Sequence, residues 1–192
     1  MILSNTEIAA ALTAGHFSID PLAAFAPGSA PFNTSAVDLR LSPQLSVPKD
    51  EDMPAAIDLA PGKVIAPFLA AHTELKTLTD DQPYVLQRNK FVLGRTVETV
   101  AFPLLPSGTI GYAARVEGRS SFARCGILVH FTAPTIHAGF KGTITLEIIN
   151  LGFAPFLLRP NLPICQLIIE EVQGTPGAAP SQFQGQTTPE GN

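Results

Sequence analysis

In "GTITLEIIN", residues 142–150, the apolar residues Ile144, Leu146 and Ile148 alternate with Thr143, Thr145 and Glu147. A period of two belongs to a strand with one face on a core and the other turned away from it. Ile149 extends the second face, so the Glu147 carboxylate is not forced into the apolar interior. Similar runs recur along the chain. Val37, Leu39 and Leu41 alternate at the end of "HFSIDPLAAFAPGSAPFNTSAVDLRL", and "YVLQRNKFVLGRTVETVAFP" predicts two strands around a turn near Arg88 and Asn89. "TIGYAARVEGRSS", "GILVHFTAP" and "LPICQLIIEEV" add short stretches rich in residues that fit a pleated surface. Many short strands between turn signals predict an all-β sandwich, jelly roll or barrel.

The helical period surfaces once, near the N-terminus. In "SNTEIAAALTAG", Ser4 suits the N-cap and Glu7 the third helical position, a capping box, while Gly15 suits the residue just past the end. Residues 48–62, "PKDEDMPAAIDLAPG", combine charge with proline and read as a surface loop. The closing "QGTPGAAPSQFQGQTTPEGN" is too poor in apolar residues to build a core. The chain thus reads as one domain over 1–172 and a flexible tail over 173–192.

Composition narrows the class. A chain of 192 residues, 45% hydrophobic and 15% charged, is long enough for one well-filled core. Its net charge of -4, with no long basic block, argues against nucleic acid or an anionic membrane as partner. No stretch approaches the roughly 20 apolar residues of a membrane span, and "MILSNTEIAA" lacks the basic start of an export signal. Cys125 and Cys165 are far apart and form no CxxC pair, which suggests reduced thiols in the cytoplasm.

Familiar catalytic signatures are missing. There is no GxxxxGK[ST] loop, GxSxG elbow or HExxH pair, and no His or Cys beside a glutamate with PCxxC downstream, the zinc-deaminase pattern. The chemistry left is that of carboxylate, hydroxyl, guanidinium and imidazole groups. "RVEGRSSFARCGILVH", residues 115–130, gathers Arg119 and Arg124 as forked donors, Ser120 and Ser121 as hydroxyls, and Gly118 as a point of close backbone approach. That set suits phosphate, although arginines flanking a serine turn are more often simply solvated. Glu147 is either a solvated strand residue or, in a partly dry pocket, a carboxyl raised towards neutrality that serves as base and acid. A lone histidine such as His130 is more often structural than catalytic.

The segment "VEGRSSFARCGILVHFTAPTIHAGFKGTITLEIINLG" closely resembles the dCTP deaminase branch of the trimeric dUTPase-like superfamily, and so do "LSNTEIAAALTAGHFSIDP", "SAVDLRL", "RPNLPICQLIIEEV" and "SQFQGQ". The likeness is weakest between about residues 48 and 80. It implies a homotrimer of distorted jelly rolls, or β-clips, with a short N-terminal helix and active sites between subunits. It also implies conversion of dCTP to dUTP and ammonia, with magnesium carried on the triphosphate and no zinc, and dTTP as a candidate inhibitor.

On this resemblance Glu147 falls on the catalytic glutamate, Arg119, Ser120 and Ser121 on the phosphate-binding motif, and Arg124 on the arginine near the reacting water. Ala133 falls on the residue whose carbonyl helps hold that water. The tail becomes a lid, with Gln186 on a triphosphate-binding glutamine and Phe183 where a tyrosine is usual. Gln182 replaces the usual lysine, and His137 stands where an aspartate commonly contacts the sugar. In the dUTPase branch that aspartate activates the hydrolytic water, so His137 favours a deaminase that stops at dUTP. The alternatives are an enzyme that continues to dUMP and a trimer that binds nucleotides without turnover.

Overall fold

The computed structural model describes residues 1–26, 28–50, 56–58, 65–179 and 183–190. Helix α1, Asn5–Thr13, begins as its sequence requires: the Ser4 hydroxyl accepts from the Glu7 N–H, and Gly15 follows the end at a φ of +72°. Its buried Ile8 and Ala11 anchor it to the core.

Among the described residues twelve strands follow, all antiparallel where paired. One sheet runs β4 (Thr73–Thr77), β3 (Gln44–Pro48), β6 (Phe91–Ala101), β10 (Lys141–Asn150), β8 (Ile127–Val129), with β1 (Ser18–Asp20) also on β6. A second runs β2 (Val37–Arg40), β12 (Pro163–Val172), β7 (Gly111–Gly118), β9 (Thr135–Ile136). A third pairs β5 (Tyr84–Leu86) with β11 (Phe156–Leu158). The inward faces supply a common core in which Leu39, Leu41, Phe102, Ile144, Leu146, Ile148 and Ile164 are almost fully buried. The all-β architecture with an N-terminal helix is as expected. The two strands anticipated around Arg88 and Asn89 also form, but β5 pairs with β11 and not with β6.

Two helices were not foreseen: α2, Ile65–His72, and the single turn α3, Ser120–Ala123. Proline at 67 masked α2 in the sequence, although a first-turn proline costs a helix little because its missing N–H has no intrahelical partner there. Of the anticipated 48–62 loop, Pro48 closes β3, residues 49–50 and 56–58 are in neither helix nor strand, and the rest lie outside the described residues. Among the described residues no helix is long and apolar enough to cross a membrane.

The turn after β10 fixes what the neighbouring strands carry. Asn150, fully buried, donates to the Leu86 and Ala154 carbonyls at 3.0 and 2.9 Å and accepts from the Gly152 N–H at 2.9 Å. Beside it, a Cβ on Gly152 would lie 2.0 Å from the Cys125 carbonyl oxygen, so only glycine permits this approach of the β10–β11 turn to the end of α3.

Candidate active site

Strand β10 carries Glu147 on its outward face, between the core residues Leu146 and Ile148. Its neighbour β8 ends at Val129, which pairs with Ile148, and the next residue, His130, turns into the left-handed region at a φ of +54° while its N–H donates to the Glu147 carbonyl at 2.8 Å. This turn brings the imidazole Nδ1 to 3.0 Å from Glu147 Oε2. Burial pushes the Glu147 carboxyl up, but the His130 imidazole beside it outweighs burial and holds the carboxyl below its ordinary value. Of the two readings open for Glu147, the raised carboxyl is therefore not the one this fold favours, and the group stays ionised at neutral pH.

Glu147 and His130 line a cavity of about 1120 Å³. Ala133 and His137 line it too, carried on the segment that β9 pins to β7 through the pairs Ala114–Ile136 and Arg115–Thr135. His130 Nε2 and Thr145 Oγ1 are buried without a hydrogen-bond partner in the chain, while His130 Nδ1 and Glu147 Oε2 face each other off the ideal hydrogen-bond direction. Buried polar atoms are nearly always satisfied, so this concentration in one cavity wall marks a place built for a polar ligand.

The tail supplies another wall. Phe183 and Gln186 line the same cavity. Gln186 is 5% exposed, donates from Nε2 to the Thr143 carbonyl at 2.8 Å, and accepts through its own carbonyl from the Thr143 N–H and hydroxyl, both at 3.1 Å. Gly185 donates to the Lys141 carbonyl at 2.7 Å. Residues 183–190 are thus docked on the start of β10, where the absence of a side chain on Gly142 leaves room for the Gln186 backbone. Gln182 lies outside the described residues.

Arg119, Ser120, Ser121 and Arg124 do not line this cavity. They sit on and around α3, which packs through Phe122 against Phe156 of β11 and leaves both serines and Arg124 exposed. One chain therefore unites Glu147, Ala133, His137, Phe183 and Gln186, and presents the two arginines and two serines elsewhere on its surface. The residues that sequence reasoning passed over are His130, placed by a strand pairing that no local pattern announces, and Thr145, whose alternation with Glu147 does put it on the same face. Among the described residues, no group of three His, Cys, Asp or Glu side chains gathers as metal ligands.

The profile of the dCTP deaminase-like family matches residues 2–172. The chain is 34% identical, over 98% of its length and 91% of the relative's, to a protein of Methanosphaera stadtmanae named "dCTP deaminase, dUMP-forming". It is 36% identical to a protein of the same name from Beutenbergia cavernae, over 98% and 92% of the two chains. With a "dCTP deaminase" of Rhodospirillum rubrum it shares 35% identity over 88% and 82%. Among solved structures, the 2'-deoxycytidine 5'-triphosphate deaminase of Agrobacterium tumefaciens shares the fold with a TM-score of 0.62 at 21% identity; the match covers 88% of this chain and 47% of that one. With the family profile matched over nearly the whole domain and relatives above 30% identity over most of both chains, the chain belongs to the dCTP deaminase-like family.

Proposed function

We propose that this chain deaminates dCTP, with Glu147 as the group that activates water. The observation that carries the reading is an ionised Glu147 carboxylate sharing one cavity with Ala133 and His137, in a chain whose relatives are named dCTP deaminase. A carboxylate held low is ready to accept a proton at neutral pH. It takes that proton as the water oxygen bonds to C4 of the ring, and passes it to N3. A second proton goes from the attacking oxygen through Glu147 to the exocyclic amine, the C4–N4 bond breaks, and ammonia leaves a uracil ring. The Ala133 carbonyl and the Ser120 hydroxyl hold the water over C4, so that positioning supplies much of the activation. Magnesium enters on the triphosphate, as part of the substrate.

The phosphates need cations, and among the described residues no Lys or Arg lines the cavity. Arg119, Ser120, Ser121 and Arg124 reach it from a second copy in a homotrimer, because α3 leaves Ser120, Ser121 and Arg124 outward. Phe183 and Gln186 close the tail over the nucleotide, and His137 hydrogen-bonds the 3′-hydroxyl. The enzyme draws on free nucleotides of the cytoplasm.

Two products are chemically open. His137 in place of a carboxylate is a poor base for phosphate hydrolysis and favours dUTP. The relatives named "dUMP-forming" favour a second reading in which the same site also splits dUTP to dUMP and pyrophosphate. Chromatography of the products from dCTP and magnesium decides: accumulating dUTP is expected, dUMP would establish the second reading, and bound nucleotide without product would overturn both.

A further inference from the structure

Arg119 closes the run from β7 into α3, and its guanidinium is not loose. NH1 donates to Oδ2 of Asp38 at 2.5 Å, with the two side chains 31% and 12% exposed. Asp38 stands on β2, two strands away across the sheet, because β12 lies between β2 and β7. The register places Gln166 of β12 opposite Asp38 on one side and Glu117 of β7 on the other. Gln166 Nε2 donates to Asp38 Oδ1 at 3.1 Å, and Asn33 Nδ2 donates to the same oxygen at 2.8 Å. Asn33 is itself tied down through its N–H to the Ala36 carbonyl at 2.8 Å, while the Asp38 N–H donates to the Pro31 carbonyl at 2.8 Å. The Asp38 carboxylate is therefore anchored through Oδ1 and the backbone independently of Arg119, which leaves Oδ2 to receive the guanidinium.

Asp38 takes up one edge of the fork. Among the described residues, Asp38 is the side-chain partner of Arg119, and the remaining guanidinium N–H groups have no acceptor. An arginine has five donors in a rigid plane, so gripping one corner fixes where the others point. The carboxylate weakens the net attraction of the guanidinium for an anion, so its benefit to binding is geometric: a long side chain is already ordered when the ligand arrives. A ligand phosphate meets a preset fork.

We propose that Asp38 is a positioning residue that presets Arg119 for the triphosphate of the substrate, an inference that rests on the reading of the chain as a dCTP deaminase. Asp38 touches no reacting atom. The phosphates bind in substrate and transition state alike, so loosening their anchor raises KM and leaves kcat nearly unchanged.

The test is a cycle of Asp38→Asn, Arg119→Gln and the double variant, assayed for ammonia release from dCTP and dCMP and for equilibrium binding of dCTP. Asp38→Asn is expected to raise KM for dCTP about tenfold, to spare kcat, and to leave dCMP nearly unaffected, since dCMP lacks the β- and γ-phosphates that the fork is proposed to hold. In the Arg119→Gln background the Asp38 change is expected to do nothing further. A purely structural Asp38 would instead lower kcat and thermal stability, hit both substrates equally and add to Arg119→Gln; that pattern, or an unchanged KM in a protein that deaminates dCTP, overturns the positioning role alone. Wild-type protein that binds dCTP without deaminating it overturns the enzymatic reading, and the binding arm of the cycle then decides the role of Asp38. Absence of any dCTP binding overturns both.

Discussion

His130 Nδ1 lies 3.0 Å from Glu147 Oε2, and the backbones of the same two residues are joined by the His130 N–H on the Glu147 carbonyl at 2.8 Å. Imidazole and carboxylate thus move as a unit, and the imidazole keeps the carboxyl below its ordinary value against the upward push of burial. Replacing His130 by alanine removes the main opposition to burial and leaves only a backbone hydrogen bond against it, so the Glu147 pKa rises. The acid limb of the pH profile of kcat/KM for dCTP is expected to move to higher pH. An acid limb unmoved by the substitution would show that another group sets it.

The same depression has a stability consequence. A carboxyl whose folded-state pKa lies below its unfolded value contributes in full above the unfolded pKa, and the contribution is lost as pH falls through the folded one. Chemical denaturation should therefore show a stability difference between wild type and Glu147→Gln that is constant from pH 7 to about 5 and shrinks below the ordinary carboxylate range near 4.5. A difference that persists unchanged to lower pH would mean that the wild-type advantage does not come from the charge.

Glu147→Gln also separates binding from turnover. The amide keeps the shape of the side chain but accepts no proton, so ammonia release from dCTP is expected to fall by at least about a hundredfold while dCTP still binds. Calorimetry beside a product assay reads both quantities on one preparation, and retained turnover would move the base elsewhere.

How much of this was legible beforehand depends on the range of the interaction. The capping of α1 by Ser4 and the outward face of Glu147 are decided by near neighbours, and the sequence displayed both. His130 reads as structural from sequence because a lone histidine usually is; its partner is 17 positions away, on a strand whose pairing with β8 emerges only from the fold. Asp38 lies 81 positions from Arg119 and was invisible for the same reason. α2 was missed because its proline reads as a breaker until its place in the first turn is known. The tail was judged by its lack of apolar residues, yet its described part docks through Gln186 and Gly185 by hydrogen bonds to β10, which an apolar count does not register.

Those bonds make the tail separable from the core. Gln186→Ala removes the amide bond to the Thr143 carbonyl and empties a buried polar pocket, costing about 1–2 kcal/mol of local docking. Hydrogen exchange of the Gly185 and Thr143 amides, both bonded across this seam, is expected to quicken about tenfold or more while amides in β6 and β12 keep their protection. Uniformly faster exchange would instead mean that Gln186 supports the whole domain.

The approach of Gly152 to α3 gives the most severe of the expected effects. An alanine Cβ there would meet the Cys125 carbonyl oxygen at 2.0 Å and the Cys125 carbonyl carbon at 3.1 Å, and neither atom is the free end of a side chain that can swing aside. Gly126 opposite it is equally confined, with a φ of +84° and the Gly152 Cα 2.4 Å from where its own Cβ would stand. The backbone must therefore part, breaking the bond from the Leu151 N–H to the Gly126 carbonyl at 2.8 Å and the Asn150 contacts that close the corner. Gly152→Ala is expected to cost about 3 kcal/mol or more in the denaturation midpoint. Because this corner abuts the residues that follow α3, the surviving folded protein should also lose affinity for dCTP, whereas Gly174→Ala, at a turn with open space around it but a φ of +85°, should cost only about 1 kcal/mol and leave that affinity intact. Equal losses in the two variants would show that strain in φ, and not the backbone approach beside α3, governs the corner.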